Sequence, residues 1–302
     1  MADAEAVDMR LWGKERGLGG ARYPVVCHGL DAAAAVRALW TQFVAPGLRR
    51  RLAEAVGLDE SQTCALLEFW ASLHDIGKLI PSFAHQLEMP PEFGAPCGIR
   101  LGHDEAAHLW LPSGLESLGY AHRSARSAGR LVAQLLGGHH GRFHDIGSSR
   151  LRPERLTSAG LGQESIWETE RAAMTRVLSE VLAPTAPHRL PVREAALTAG
   201  LVVLADWLVS QTGFVRAQLP RVPASGDVAS LRAFFEGSLE PTADVVQRAG
   251  LSRLQLLPGN FGEEFPGLLP TPRRSASASR QVRRGWPDFD TDAAERLAMQ
   301  AA

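Results

Sequence analysis

The residues best suited to chemistry are histidines and aspartates at the ends or centres of predicted helices. The first pair, His74-Asp75, ends an apolar helical run and is followed by Ile76, Gly77 and Lys78. An imidazole and an adjacent carboxylate can bind one metal ion or bridge two. Gly77 is expected to let the backbone leave the helix in a conformation that other residues resist, and Lys78 places a cation beside any bound anion. Because His-Asp dipeptides also occur by chance, this pair alone does not define a site.

A second carboxylate, Asp206, lies in the most apolar segment of the chain, residues 195–209. The helix predicted there is apolar on almost every side, which is typical of a helix in the middle of a fold. Burying an unpaired carboxylate is costly, so Asp206 needs a strong partner. That partner could be a buried hydrogen bond or salt bridge, or it could be a metal ion, and the helix alone does not decide between them.

Four more histidines stand at similar positions. His139 and His140 follow a predicted helix in a glycine-flanked turn that could direct both imidazoles into one cavity, although tandem histidines are often solvated turn residues. His28 and His103 each open a predicted helix and could equally be capping or packing residues.

Taken together, these residues supply five imidazoles and two carboxylates, a set that suits two metal ions sharing one bridging carboxylate. The set consists of His28, His74, Asp75, His103, His139, His140 and Asp206. Imidazole with carboxylate favours divalent transition metals (Fe, Mn, Co or Ni, with Zn possible) over Ca or Mg, although Mg stays possible.

Composition limits the class of protein. The 302 residues carry a formal net charge of −1, with 45% hydrophobic and 22% charged residues, so no global field favours nucleic acid or membrane. A polyanion would therefore be held by a local patch or a metal site. Cys27, Cys64 and Cys97 are widely spaced without a CxxC pair, which fits a reducing cytoplasm. No secretion signal or membrane span is predicted, and only two lysines occur, Lys14 and Lys78.

Helical periodicity dominates the chain and predicts a single all-α domain over residues 1–268, followed by a flexible Pro/Arg/Ser-rich tail at 269–302. The predicted helices span residues 31–44, 62–73, 103–111, 124–136, 164–182, 192–212, 228–235 and 243–249. The predicted loops span residues 81–101 and 150–162.

Five motifs carry a resemblance to a known family. They are residues 11–14 (LWGK), 23–31 (YPVVCHGLD), 73–83 (LHDIGKLIPSF), 137–143 (GGHHGRF) and 205–210 (ADWLVS). With them the chain resembles, from about residue 11 to residue 267, the HD nuclease domain of the CRISPR-associated helicase–nuclease of type I systems. An HD pair is common among phosphohydrolases, whereas this order of motifs is specific. The resemblance implies a compact helical bundle with a dinuclear metal site.

The resemblance also implies roles for individual residues. The implied ligands of one metal are His28, His74, Asp75 and Asp206, and those of the other are Asp75, His103, His139 and His140. Asp75, Lys78 and Ser210 would form the catalytic set, with the lysine and the serine contacting phosphate. Arg142 would guide the DNA backbone. The implied reaction is metal-assisted phosphodiester hydrolysis without a covalent protein nucleophile.

The implied substrate is single-stranded DNA, and the implied partners are a helicase and an RNA-guided surveillance complex. The sequence contains no GxxxxGK[ST] phosphate loop, so the helicase is expected as a separate chain or as a part that was removed. Two alternatives stay open: an HD phosphohydrolase of nucleotides, and a non-catalytic docking module. A second His-Asp-Ile-Gly string, residues 144–147, has no lysine after it and is interpreted as a coincidence.

Overall fold

This computed structural model describes residues 6–96, 98–124, 126–141, 143, 154–162 and 165–253. These residues contain eleven α-helices, four short 3-10 helices and two short strands. The strands are β1 (Trp12–Lys14) and β2 (Tyr23–Pro24), paired antiparallel. The helices are α1 (Val25–Gln42), α2 (Pro46–Val56), α3 (Glu60–Ser72), α4 (Pro81–Ala84), α5 (His103–Gly114), α6 (Ala128–Gly137), α7 (Glu154–Leu161), α8 (Ile166–Leu182), α9 (Val192–Val209), α10 (Thr212–Gln218) and α11 (Val228–Arg248). The all-α prediction is confirmed.

Helix α1 occupies the centre of the bundle and is buried along most of its length. It packs against α3, α9 and α11, because the small side chains of its alanine run, residues 32–35, let neighbouring helices approach closely. The predicted start at Asp31 is wrong: the helix begins at Val25, directly after Pro24. His28 therefore lies in the first turn of α1, facing the interior.

The prediction that the apolar helix containing Asp206 lies in the middle of the fold is also wrong. Helix α9 packs against α1, α6, α3 and α11 with one side, and its other side is exposed. Val192, Leu197 and Trp207 are 63%, 38% and 53% exposed. Because α1 already fills the centre, α9 buries only the face that carries Asp206.

A buried polar network joins α1 to α10. Asp31 is fully buried; its Oδ2 accepts a hydrogen bond from the Tyr23 hydroxyl at 2.5 Å, and its Oδ1 accepts one from Gln218 Nε2 at 3.0 Å. These two donors satisfy the carboxyl group far from solvent. Burial nevertheless raises the pKa of Asp31 to about 7, although hydrogen bonds to Tyr23 and Gln218 oppose the rise.

Several boundaries depart from the predictions for local reasons. Residues 154–161 form a helix where a loop was expected, and α2 was not predicted. Two predicted helices at 228–235 and 243–249 are the single helix α11, which continues through Pro241. Proline has no N–H to donate to the carbonyl of Gly237 four residues earlier. The guanidinium of Arg221 donates to that carbonyl instead, so the carbonyl keeps a hydrogen-bond partner.

The described helices belong to a compact unit that ends at Leu251. Three predictions concern residues outside the described part of the chain: the tail at 269–302, the role of Arg142, and the coincidental string at 144–147. They stay predictions. None of the described helices combines the length and the apolar character that crossing a bilayer requires.

Candidate metal centre

The His74-Asp75 pair lies in the turn between α3 and a short 3-10 helix at Ile76–Lys78. A capping box between Asp59 and Gln62 starts α3, and its apolar face then brings the pair to the core. The explanation expected for Gly77 is wrong, since Gly77 is not among the glycines with positive φ. A glycine is needed there because the first turn of α5 packs directly against it.

An inner cluster, which we define as His28, His74 and Asp206, surrounds one side of Asp75. Oδ1 of Asp206 lies 3.1 Å from Nε2 of His28 and 3.3 Å from Nε2 of His74. Oδ2 of Asp75 lies 3.5 Å and 3.4 Å from the same two nitrogens. All four side chains are buried. Two carboxylates and two imidazoles thus converge on one point.

An outer cluster, which we define as His103, His139 and His140, lies on the other side of Asp75. Oδ1 of Asp75 is 3.8 Å from Nε2 of His103 and 3.7 Å from Nε2 of His139. Nε2 of His103 is 2.7 Å from Nε2 of His140. His139 is buried and His140 is exposed, so this cluster opens to solvent.

Asp75 therefore faces both clusters, one carboxylate oxygen to each. This is the geometry that a bridging carboxylate requires. Two groups of side chains are placed so that they could hold a metal ion: His28 and His74 with Asp75, and the outer cluster. The structure brings all seven predicted ligands together. His103, in the first turn of α5, reaches the site.

The hydrogen bonds of two histidines test whether these residues fit metal ions. Nδ1 of His74 lies 2.7 Å from the carbonyl oxygen of Ala71, and Nδ1 of His139 lies 2.5 Å from that of Leu136. A carbonyl can only accept, so each Nδ1 donates its proton. The neutral form of each ring, the form that binds a metal, therefore has its lone pair on Nε2. Within the described residues, both Nε2 atoms are buried without a hydrogen bond. A buried nitrogen lone pair beside a carboxylate fits a divalent metal.

Burial sets the protonation of three of the imidazoles. It lowers the pKa of His28 and of His139 to about 3, and that of His103 to about 4. These rings are therefore neutral at pH 7 and can act as ligands, because only a neutral imidazole offers a lone pair.

The carboxylates of Asp75 and Asp206 determine the pKa of His74. Burial alone would lower the pKa of His74, but Asp75 and Asp206 outweigh it and raise the pKa to about 10. Burial likewise opposes ionisation of Asp75, yet Lys78 and His74 hold its pKa well below the usual range. For Asp206 the same result comes from His74 and Lys14. The site is thus built around two ionised carboxylates, and a bound cation would take the place of the His74 proton.

Three further polar side chains contact the carboxylates. Lys78 Nζ lies 2.7 Å from Oδ2 of Asp75, and Ser210 Oγ donates to Oδ1 of Asp206 at 2.6 Å. Both were predicted to lie beside the metals. Lys14 was not predicted as a site residue; its Nζ donates to Ser210 Oγ at 2.7 Å and lies 3.7 Å from Oδ1 of Asp206. One feature of the sequence could have pointed to Lys14: the chain has only two lysines, and the other, Lys78, was already assigned to the site.

The fold and the site together define a helical domain built around a buried His-Asp pair that faces two groups of imidazoles. The chain belongs to the Cas3 family, since the model described as "Cas3, HD domain" matches residues 12–215. It is 28% identical over 283 residues to the CRISPR-associated endonuclease/helicase Cas3 of Thermus thermophilus. The aligned region covers 89% of this chain and 28% of that protein.

Two solved structures are similar to this chain in both fold and sequence. A crystal structure of T. fusca Cas3 with AMPPNP superposes with a TM-score of 0.79 at 40% identity, covering 90% of this chain and 30% of that one. A chain of a CRISPR RNA-guided surveillance complex in a pre-nicking state gives a TM-score of 0.73 at 34% identity, covering 98% and 36%. The chain thus spans roughly a third of the length of these relatives.

Proposed function

We propose that the chain is a metal-dependent nuclease domain that hydrolyses phosphodiester bonds of single-stranded DNA in CRISPR interference. One observation carries the proposal: the two oxygens of Asp75 face two separate ligand clusters. A shared carboxylate of this kind can hold two metals close enough together to act on one phosphodiester. Membership of the Cas3 family supports the same conclusion.

The proposed ligands of one metal are Asp75 and the inner cluster, and those of the other are Asp75 and the outer cluster. Divalent Mn, Fe, Co or Ni suit this nitrogen and oxygen set best, and Mg or Zn are compatible with it. Bound there, the metals would supply Lewis acidity to a phosphodiester and to a water molecule. The protein itself orients the ligands: backbone carbonyls fix the rings of His74 and His139, and Lys78 and Ser210 hold the two carboxylates.

The burial of the site supports a single-stranded substrate. Asp75, His74 and His139 have almost no exposure, and solvent reaches the outer cluster through His140. The backbone of one strand can enter a recess of this kind more readily than a stiff duplex. The predicted contact of Arg142 with that backbone belongs to the same proposal.

The partners we propose are a helicase and an RNA-guided surveillance complex. The Thermus thermophilus relative is described as an endonuclease and helicase, and another relative is a chain of a surveillance complex. This chain spans about a third of their length. We propose the helicase as a partner of this domain.

The decisive experiment compares Asp75 and Asp145, the aspartates of the two His-Asp-Ile-Gly strings in the chain. Protein loaded with Mn, Co, Ni or Fe should degrade circular single-stranded DNA, and Asp75→Ala should reduce the rate by about a thousandfold or more, since it removes the shared ligand. Asp145→Ala, in the second His-Asp-Ile-Gly string, should leave the rate unchanged.

The other outcomes identify the alternatives. Turnover of small nucleotides with DNA left intact would replace the proposal with an HD phosphohydrolase. Equal inactivity of the wild type and Asp75→Ala with every metal, while binding to a helicase persists, would identify a docking module.

A further inference from the structure

The two lysines at the site have very different capacities to bind an anion. Lys78 is 7% exposed, and its ammonium is already enclosed. It lies 2.7 Å from Asp75 Oδ2, donates to the carbonyl oxygen of Gly13 at 2.8 Å, and stands 5.3 Å from the centre of the Phe83 ring. An ammonium has three donors and no acceptor. A carboxylate, a carbonyl and an aromatic face therefore occupy the surroundings of Lys78.

The ammonium of Lys14 can still donate hydrogen bonds to a ligand. Its side chain is 26% exposed, and among the described residues its single hydrogen bond is the one to Ser210 Oγ at 2.7 Å. Ser210 Oγ in turn donates to Asp206 Oδ1 at 2.6 Å. The hydroxyl thus holds the ammonium 3.7 Å from a proposed metal ligand, and two of its N–H groups make no hydrogen bond to the described part of the chain.

We propose that Lys14, not Lys78, is the lysine that binds a phosphate oxygen of the substrate strand, and that Lys78 acts as a positioning residue. The inference rests on the proposed nuclease function and names the substrate contact of that site. The chemical class of the ligand is a nucleic-acid phosphodiester beside the metal held by the inner cluster.

The backbone explains how Lys78 supports Lys14. Gly13 immediately precedes Lys14 in β1, and its carbonyl accepts the hydrogen bond from Lys78. The same ammonium is paired with Asp75. Lys78 therefore fixes the strand that carries Lys14 relative to the shared carboxylate, while Ser210 fixes the tip of Lys14 relative to Asp206.

The test measures binding of a phosphorothioate-linked single-stranded oligothymidylate, which resists cleavage, by fluorescence anisotropy over a range of salt. Metal-loaded full chain is used throughout, with metal content and melting temperature recorded for each variant. Lys14→Gln should weaken binding by about threefold to tenfold and should reduce the slope of log K against log salt by about 0.7, the value for one phosphate contact to a single strand. Metal content and melting temperature should not change. Lys14→Arg should restore the slope.

Two further variants serve as controls. Arg16, whose side chain is 96% exposed, lies two residues from Lys14, so Arg16→Gln tests whether any nearby cation has the same effect. It should change the slope less than Lys14→Gln does. Lys78→Met should instead lower metal content and melting temperature, and should reduce the salt slope less than Lys14→Gln does.

The inference is overturned by an unchanged slope in Lys14→Gln, by a loss of metal in that variant, or by an equal effect of Arg16→Gln. If the wild type cleaves DNA and Lys14→Gln keeps the wild-type slope of log K against log salt, the inference about Lys14 is wrong and the nuclease proposal stands. A wild type that binds the oligonucleotide through Lys14 but cleaves no DNA would support the phosphate contact and sink the nuclease proposal. A wild type that does not bind the oligonucleotide would sink both.

Discussion

Gly77 lies against the first turn of α5, where a β-carbon added at position 77 would overlap the carbonyl oxygen of His103. The same β-carbon would lie 2.7 Å from the amide nitrogen of Ala107. Both contacts are with backbone, so no rotation of a side chain can relieve them. Since His103 belongs to the outer cluster, this close approach couples the HD turn to the second proposed metal.

We therefore expect Gly77→Ala to displace α5 and to separate His103 from Asp75. Overpacking of this kind costs typically about 1–3 kcal/mol of folding free energy. The variant should melt at a lower temperature and bind about one metal per chain where the wild type binds two. Elemental analysis and calorimetry would measure the two effects.

Gly200 offers a matched control for that substitution. It lies in the middle of α9, is exposed, and has nothing within 4 Å of a built β-carbon. Gly200→Ala should keep full metal content and stabilise the protein by up to about 1 kcal/mol through helix propensity. If Gly77→Ala behaved like Gly200→Ala, the contact with α5 would not matter.

Removal of metal should destabilise the protein. Without a cation, the ionised carboxylates of Asp75 and Asp206 lie together around His74. The buried Nε2 of His139 has no hydrogen-bond partner among the described residues. A ligand present at a hundred times its Kd adds about 2.7 kcal/mol to the free energy of unfolding. A chelator should therefore lower the melting temperature of the wild type by several degrees.

Asp206→Asn provides the comparison for the chelator experiment. The variant keeps the size of the side chain but removes one charge from the inner cluster, so metal binding there should weaken. The chelator should then shift its melting temperature less than that of the wild type. An equal shift in both proteins would mean that the metal binds elsewhere.

The sequence pointed to the seven side chains that the structure brings together, because buried polar residues stand out in apolar surroundings; that they bind metal stays a prediction. His74-Asp75 at the end of α3 and Asp206 in an apolar helix stand out for that reason. Lys14 did not stand out, because its role depends on Ser210, which is 196 positions away in the chain. Pairings over such distances leave no local pattern.

The helix boundaries were likewise predictable only where they depend on nearby residues. The long helices α3 and α8 were predicted within two residues because caps and apolar spacing agree there. The interruption predicted within α11 failed because the compensation for Pro241 comes from Arg221, a residue outside that helix. The exposure of α9 could not be inferred either, because it depends on α1 occupying the centre.

Arg221 and Pro241 together allow a test of that compensation. In the wild type, Arg221→Gln removes the donor to the Gly237 carbonyl and should cost roughly 1 kcal/mol of stability. In a Pro241→Ala background, residue 241 regains an N–H that can bond to the same carbonyl, so the cost should fall. Chemical denaturation of the four proteins gives the coupling free energy. A coupling of zero would show that the guanidinium does not replace the helix bond.

Asp31 should make stability depend on pH. Burial raises the folded-state pKa of Asp31 to about 7 from its usual value of 3.8, so between these pH values the folded protein binds more protons than the unfolded one. Stability linked to Asp31 is therefore complete at low pH and is lost as pH rises through about 7. The groups facing Asp31 are Tyr23, Gln218, Ser238, Arg221 and Cys27. Asp31→Asn cannot ionise, and its amide can still accept from Gln218 and donate to the Tyr23 oxygen.

The difference in unfolding free energy, wild type minus Asp31→Asn, should therefore fall by about 2 kcal/mol between pH 5 and pH 8. Urea denaturation in the presence of a chelator isolates this effect, because titration of the metal ligands is then common to both proteins. Parallel pH profiles would mean that Asp31 is ionised throughout the range, with its two donors outweighing the cost of burying the charge.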